Sequence, residues 1–143
     1  MKLKRGALVS ILLCSFLALS VPSVAMSSEL SPSTKSEIAH LLDCVEKSGC
    51  QFNRNGTWYK DAKAIREHAE LKLHYFQDRG RVNSTEDFIK WAGSKSEISG
   101  KPYMVKCGNG SPMPTAQWLT EEVERYRKGR SVAQAEPGTA TNQ

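Results

Sequence analysis

The sequence predicts an α+β fold, in which a small three-stranded antiparallel sheet packs with about four helices and carries one disulfide. The dipeptide Asn55-Gly56 lies between strand-type aromatic residues, a pattern typical of a tight β-hairpin. Amphipathic segments with helix-capping residues occur on both sides of this hairpin. A short alternating segment that ends at Cys107 supplies another strand. Because two strands alone are marginally stable, we expect this segment to join the hairpin.

The first 25 residues are typical of a secretory signal peptide. Basic residues precede an apolar run of about 13 residues, Ala7 to Leu19, and the small residues of Ser23-Val24-Ala25 follow it. The run is shorter than the roughly 20 residues that span a bilayer. We therefore expect cleavage near Ala25, a periplasmic or secreted mature chain, and no membrane span.

The positive charge of the chain comes largely from the predicted signal peptide. The full sequence has 20 basic and 15 acidic side chains and a net charge of +5. Cleavage removes Lys2, Lys4 and Arg5, which leaves 17 basic side chains and a net charge of +2. A nucleic-acid-binding domain needs clustered basic residues in larger excess, so we expect no nucleic-acid partner.

A single domain is predicted over residues 34–128, after a flexible leader over residues 26–33. Thr34 with Glu37 three residues later predicts a capping box at the start of the first helix. Gly49 is expected to end this helix. Its apolar stripe comprises Ile38, Leu41, Leu42 and Val45.

Two further helices are predicted between the hairpin and the last strand. Asp61 is the expected cap of a helix that runs to about Gln77, and Ser84 or Thr85 is the expected cap of the next. The helix capped by Ser84 or Thr85 has carboxylates in its first turn, where the positive end of the helix dipole stabilises them.

The C-terminal part of the chain contributes a strand, a helix and a tail. Pro102 begins the alternating strand, and the last helix is predicted from about Thr115 to Lys128. Residues 129–143 contain small and polar side chains without periodicity, which predicts a disordered tail.

Several short motifs occur in a fixed order between about residues 36 and 119. They are Ser48-Gly49-Cys50, Arg54-Asn55-Gly56, His68 with Lys72, Arg79, Thr85-Glu86-Asp87-Phe88-Ile89, and Ser99-Gly100-Lys101-Pro102-Tyr103 with Cys107. Together they resemble the YfeK-like family of small exported bacterial proteins. The resemblance implies a domain of unknown function, without an assigned activity, cofactor or catalytic residue.

Three cysteines follow the expected cleavage site, which allows one disulfide and one free thiol. Cys50 opens the first predicted strand and Cys107 closes the last, so their α-carbons can lie within the roughly 4–7 Å that a disulfide allows. We expect this pair, and Cys44 with Cys50 is the alternative. A Cys50–Cys107 bond would close a loop of about 57 residues and stabilise the fold by about 4 kcal/mol.

The candidate metal ligands are His40, Cys44 and Cys50. His40 and Cys44 lie one helical turn apart, a spacing that zinc can use. A fourth ligand is missing from the pattern, and thiols in an oxidising compartment tend to form disulfides. The sequence therefore predicts neither a metal site nor a cofactor.

The candidate binding residues are Arg54, His68, Lys72 and Arg79. His68 and Lys72 share one helix face at positions i and i+4, and the two arginines supply forked donors for a carboxylate or phosphate. The alternative is a solvated helix surface on which these cations pair with neighbouring acidic residues. Those acidic residues are Glu67, Glu70 and Asp78.

We expect a non-enzymatic binding or accessory module of the cell envelope, whose partner is an anionic ligand or an unknown envelope protein. The alternative is a small periplasmic hydrolase that uses His68 as a base. Its nucleophile would be a serine of the polar loop, aided by His68 or Lys101. Because no third group orients such a pair and no nucleophile elbow is present, we predict no catalytic residue. The candidate serines are Ser94, Ser96 and Ser99.

Overall fold

Four helices and one four-stranded antiparallel sheet are present in residues 29–135, the part of the chain that the computed structural model describes. The helices are α1 (Pro32–Lys47), α2 (Ala62–Gln77), α3 (Thr85–Phe88), which continues as a π-helix (Ile89–Gly93), and α4 (Thr115–Ala135). The strands are β1 (Gln51–Arg54), β2 (Thr57–Tyr59), β3 (Met104–Lys106) and β4 (Met113–Pro114). The α+β prediction is thus confirmed.

The predicted number of strands is wrong, because the sheet has four strands in the order β2-β1-β3-β4. No strand is predicted between Cys107 and the last helix, but Met113 pairs with Val105 and Pro114 pairs with Met104. Proline lacks an N–H donor and is therefore found on edge strands. Because β4 is an outermost strand of the sheet, it tolerates Pro114.

The predicted hairpin is confirmed by the register of β1 and β2. Phe52 pairs with Tyr59 and Arg54 with Thr57. Between these strands Asn55 and Gly56 both have positive φ angles, 54° and 93°, as the tightest hairpin turns require. The turn therefore sets Arg54 at the last position of β1, next to the loop.

Two of the predicted helix caps are confirmed and one is wrong. The Asp61 side chain accepts from the Ala64 amide at the start of α2, and the Ser84 hydroxyl accepts from the Asp87 amide at the start of α3. At α1, however, the cap is Ser31, whose hydroxyl accepts from the Thr34 amide. The helix therefore starts within the predicted leader.

The α4 helix continues to Ala135, beyond its predicted end at Lys128. Helix-forming residues such as Arg130, Ala133 and Gln134 extend it, and the next proline along the chain is Pro137. The first part of the predicted tail is therefore helical. Residues 136–143, the predicted signal peptide and residues 26–28 of the leader lie outside the described residues.

The core lies between the helices and one face of the sheet. Leu41 of α1, Val105 of β3 and Val123 of α4 have at most 1 % of their surface exposed. The other buried side chains of the core include Ile38, Leu42, Val45, Phe52, Ile65, Leu73, Phe76, Phe88, Ile89 and Leu119. Within residues 29–135, no helix combines the length and the apolar character that crossing a membrane requires.

The predicted disulfide is confirmed. Cys50 and Cys107 are bonded, and their α-carbons lie 4.3 Å apart. They flank the pair Gln51 and Lys106, where β1 and β3 are hydrogen-bonded neighbours. Cys44 is therefore a free thiol.

Candidate functional site

An open cleft of about 330 Å³ lies between the hairpin turn, α2 and the loop that precedes β3. Three of the predicted binding residues line it: Arg54, His68 and Lys72. We call this surface the cationic cleft. Its remaining lining residues are Asn55, Tyr75, Phe76, Ser96, Glu97, Ile98 and Tyr103.

Arg54 is the least satisfied polar side chain of the cationic cleft. Its Nε is buried and has no hydrogen-bond partner, although its guanidinium lies 5.6 Å from the centroid of the Tyr59 ring. Burial raises the pKa of Tyr103, and an interaction with the Arg54 guanidinium opposes that shift. Among residues 29–135, no carboxylate forms an ion pair with Arg54. A guanidinium has five N–H donors, so Arg54 can still donate hydrogen bonds to a ligand.

His68 is uncharged at neutral pH. Burial, together with the positive charges of Arg54 and Lys72, lowers the pKa of its imidazole to about 4. Its Nε2 lies 3.4 Å from the Tyr103 hydroxyl oxygen, and the two rings are nearly perpendicular. A neutral imidazole has one donor and one acceptor nitrogen, so His68 contributes hydrogen bonding rather than charge.

Lys72 lies one turn after His68 and is held by the loop across the cleft. Its Nζ donates to the Lys95 carbonyl at 2.7 Å and lies 5.1 Å from the centroid of the Tyr103 ring. Burial lowers the pKa of Lys72 and Arg54 adds to that shift, while Glu97 opposes it. The cleft therefore holds two cationic side chains close together.

The fourth predicted residue, Arg79, does not line the cleft. Its guanidinium lies 3.5 Å from the centroid of the Tyr75 ring and donates to the Tyr75 carbonyl at 2.9 Å. These contacts hold Arg79 at the end of α2, next to an aromatic wall residue of the cleft. The structure thus brings three of the four predicted residues together.

The acidic residues of α2 do not neutralise the cleft. Glu67 pairs with Lys63, and Glu70 pairs with Arg66. Arg66 also contacts two acidic side chains of α1. Glu97 is the carboxylate that lines the cleft, so cationic side chains outnumber acidic ones there.

The candidate serines all take part in hydrogen bonds of the loop over residues 94–103. Ser94 donates to the Lys90 carbonyl, Ser96 accepts from the Ser99 amide, and Ser99 donates to Asn55 at 2.6 Å. Ser96 is buried and lines the cleft, whereas Lys101 is exposed. The observed role of these hydroxyls is to shape the loop against the hairpin turn.

Tyr103 is the main site residue that the sequence prediction missed. It is only 8 % exposed, and it contacts both His68 and Lys72. It stands beside Pro102, which pairs with Lys95 to close the loop back on itself. Its position in the alternating strand could have signalled an inward side chain, but the loop closure that places it between His68 and Lys72 is not visible in the sequence.

A model of a family of unknown function, DUF5329, matches residues 32–127. The chain belongs to this family. No curated protein and no solved structure matches it. The expectation of a family of unknown function is thereby confirmed, whereas the YfeK-like resemblance stays a prediction.

The DUF5329 match covers the whole cationic cleft, whose residues lie between positions 54 and 103. It also covers the disulfide, the whole of α1 and the part of α4 up to Arg127. It ends inside α4, before that helix ends at Ala135. The residues of the cationic cleft therefore all belong to the matched domain.

Proposed function

We propose that this DUF5329 protein is an exported, non-enzymatic binding module of the cell envelope, and that its cationic cleft binds a carboxylate or phosphate group. The predicted signal peptide supports the envelope location. The partner is an anionic ligand or an envelope protein that presents such a group.

The observation that carries this proposal is that Arg54 and Lys72 line the same cleft, where the charge of Arg54 helps to lower the pKa of Lys72. Among residues 29–135, no carboxylate forms an ion pair with Arg54. An incoming anion would accept from the Arg54 guanidinium and offset the repulsion between the two charges.

The walls of the cleft indicate that the ligand also has an apolar part. Ile98 is fully exposed and Tyr75 is half exposed, and both line the cleft with Phe76. Burying apolar surface contributes about 25 cal/mol per Å². An aromatic or aliphatic group attached to the anion would therefore add affinity and select among anions.

The test is calorimetric titration of the mature protein with phenyl phosphate, benzoate and benzyl alcohol. We expect both anions to bind and the neutral alcohol not to bind. Arg54→Gln removes charge-assisted hydrogen bonds worth about 1.5–3 kcal/mol, which corresponds to a loss of about tenfold or more in affinity. Lys72→Gln should weaken binding in the same direction.

Arg79→Gln is the control, because Arg79 follows the end of α2 and does not line the cleft. Its affinity for phenyl phosphate should stay within about twofold of wild type, since a surface cation contributes little. Equal losses in the Arg54 and Arg79 variants, or no anion binding at all, would reject the cleft as the binding site. Turnover of p-nitrophenyl acetate that disappears in His68→Gln would instead favour the hydrolase alternative.

A further inference from the structure

A second polar cluster lies in the seam between α1 and α4, away from the cationic cleft. His40 Nε2 and Cys44 Sγ are 3.4 Å apart on α1. Glu122 Oε1 of α4 lies 3.4 Å from the Cys44 sulfur and 3.4 Å from the His40 nitrogen. The three atoms form an equilateral triangle of metal-ligand types.

The size of this triangle matches a tetrahedral metal centre. With bonds of about 2.0–2.1 Å to nitrogen and oxygen and about 2.3 Å to sulfur, neighbouring ligands of zinc lie roughly 3.3–3.6 Å apart. The observed edges fall in this interval. We propose that His40, Cys44 and Glu122 bind a Zn²⁺ ion in the α1–α4 seam.

Neighbouring side chains hold two of the ligands in place. The His40 ring stacks on Tyr126, with centroids 4.1 Å apart and planes 16° apart. The second carboxylate oxygen of Glu122 pairs with Arg125, which leaves Oε1 to face the cysteine and the histidine. Such outer contacts orient metal ligands and tune their affinity.

The donor set favours zinc over harder cations. A thiolate with an imidazole suits zinc, whereas magnesium and calcium prefer sites made of oxygen. Because zinc binds the thiolate, its binding releases the thiol proton to solvent.

The cluster has an open side, which leaves a coordination position for water or for an incoming ligand. A surface cleft lined by Cys44, Glu122, Trp118, Lys47 and Ser48 adjoins it. The Ser48 hydroxyl donates to the Val45 carbonyl and accepts from the Cys50 amide. Three protein ligands with an open position are characteristic of reactive zinc sites rather than closed structural ones.

The proposed zinc ligands differ in one residue from the candidate ligands that the sequence pattern indicates. Cys50 is bonded to Cys107 and has no thiolate to offer, so the third ligand is Glu122 of α4. The sequence pattern shows the helical pair His40 and Cys44, but it does not show which element packs against that pair.

The test uses the untagged full-length mature protein under anaerobic conditions, with its disulfide intact. Co²⁺ serves as the spectroscopic probe, and Zn²⁺ affinity is measured by competition with a chromophoric chelator. We expect one metal per chain, a thiolate-to-cobalt charge-transfer band and the visible bands of tetrahedral cobalt. Zn²⁺ should displace the cobalt signal, as its higher affinity for such sites requires.

Cys44→Ser should abolish the charge-transfer band, and Glu122→Gln should lower Zn²⁺ affinity by about tenfold or more. Glu121→Gln is the matched control, because this neighbouring carboxylate of α4 contacts Gln117 instead. The proposal is overturned if wild type gives no charge-transfer band, or if Glu121→Gln and Glu122→Gln lose Zn²⁺ affinity equally. Circular dichroism of each variant separates ligand loss from unfolding, and His40→Gln gives an independent third measurement.

Discussion

The cationic cleft and the α1–α4 seam each start from two side chains one helical turn apart, but their third partners give them opposite chemistry. His68 and Lys72 meet Arg54 of the hairpin, so the cleft gathers positive charge. His40 and Cys44 meet Glu122 of α4, so the seam gathers donors for a cation. A helical pair therefore indicates a candidate site, whereas the element packed against it decides which ligand fits.

The two regions also differ in how the fold holds them. The cleft is assembled from β1, α2 and the loop before β3, and the disulfide ties β1 to β3. The seam is built on two helices, and a separate contact locks it: Arg127 of α4 pairs with Glu37 of α1, which also accepts from the Thr85 hydroxyl. Each anchor can be removed without touching the ligands of either site.

Removing the disulfide should have the largest effect on stability, and the loss should concern mainly the region of the cleft. The double variant Cys50→Ala with Cys107→Ala opens a link across 57 positions, so we expect a loss of about 4 kcal/mol in the free energy of unfolding. Urea unfolding measures this loss. Hydrogen exchange should show that β1 and β3 lose protection before α1 and α4, whereas equal losses in both regions would contradict the separation between them.

The predictable parts of the fold are those fixed by local chemistry. Asn55-Gly56 requires a tight turn, Asp61 and Ser84 cap the helices that follow them, and the alternation up to Cys107 gives a strand whose end meets Cys50. The β4 strand was missed because local propensity argues against Pro114. Its pairing depends on a tertiary position, the edge of the sheet, which the sequence does not display.

The same limit applies to Glu37 and to the sites. A Thr34–Glu37 capping box is locally plausible, yet the Glu37 carboxylate contacts α3 and α4 instead. Among the cleft residues, the sequence predicted His68 and Lys72 of α2 and Arg54 of β1. It missed Tyr103 because the side chains around this residue come together only when the loop closes and the helices pack.

The Glu37 contact provides the second test, directed at the seam. Glu37→Ala would leave the Thr85 hydroxyl, which is 1 % exposed, without its acceptor. An unsatisfied buried group of this kind costs about 1–3 kcal/mol. Glu86→Ala is the matched control, because Glu86 also pairs with Arg127 but is mostly exposed, and such a pair contributes less than about 1 kcal/mol.

The pH dependence of this contact has a definite sign. Hydrogen bonds from Arg127 lower the pKa of Glu37 below its ordinary 4.5. The stability that this carboxylate contributes is therefore present above pH 4.5 and is lost as the pH falls below that value. The stability difference between wild type and Glu37→Ala should shrink in acid, while anion binding in the cleft at neutral pH stays unchanged. A Glu37→Ala protein that no longer binds phenyl phosphate would show that the two regions are coupled.

The third test concerns His68 and addresses the electrostatics of the cleft directly. The pKa of this imidazole is lowered from 6.5 to about 4 in the folded protein, so the unfolded chain binds the proton more readily. Stability linked to His68 is therefore complete above about pH 6.5 and declines as the pH falls toward 4. An NMR titration of the imidazole should give a midpoint near 4, and the stability difference between wild type and His68→Gln should follow the same pH range.

An anion in the cleft should move that midpoint upward, because negative charge favours the imidazolium and offsets the repulsion from Arg54 and Lys72. Phenyl phosphate should therefore raise the His68 midpoint, and Arg54→Gln should raise it without any ligand, because the variant removes one of the two positive charges. Zn²⁺ should leave it unchanged, since the metal cluster lies in the other region. A midpoint near 6.5 in the free protein would mean that the imidazole is solvated and that the cleft does not concentrate positive charge, which would remove the physical basis for anion binding there.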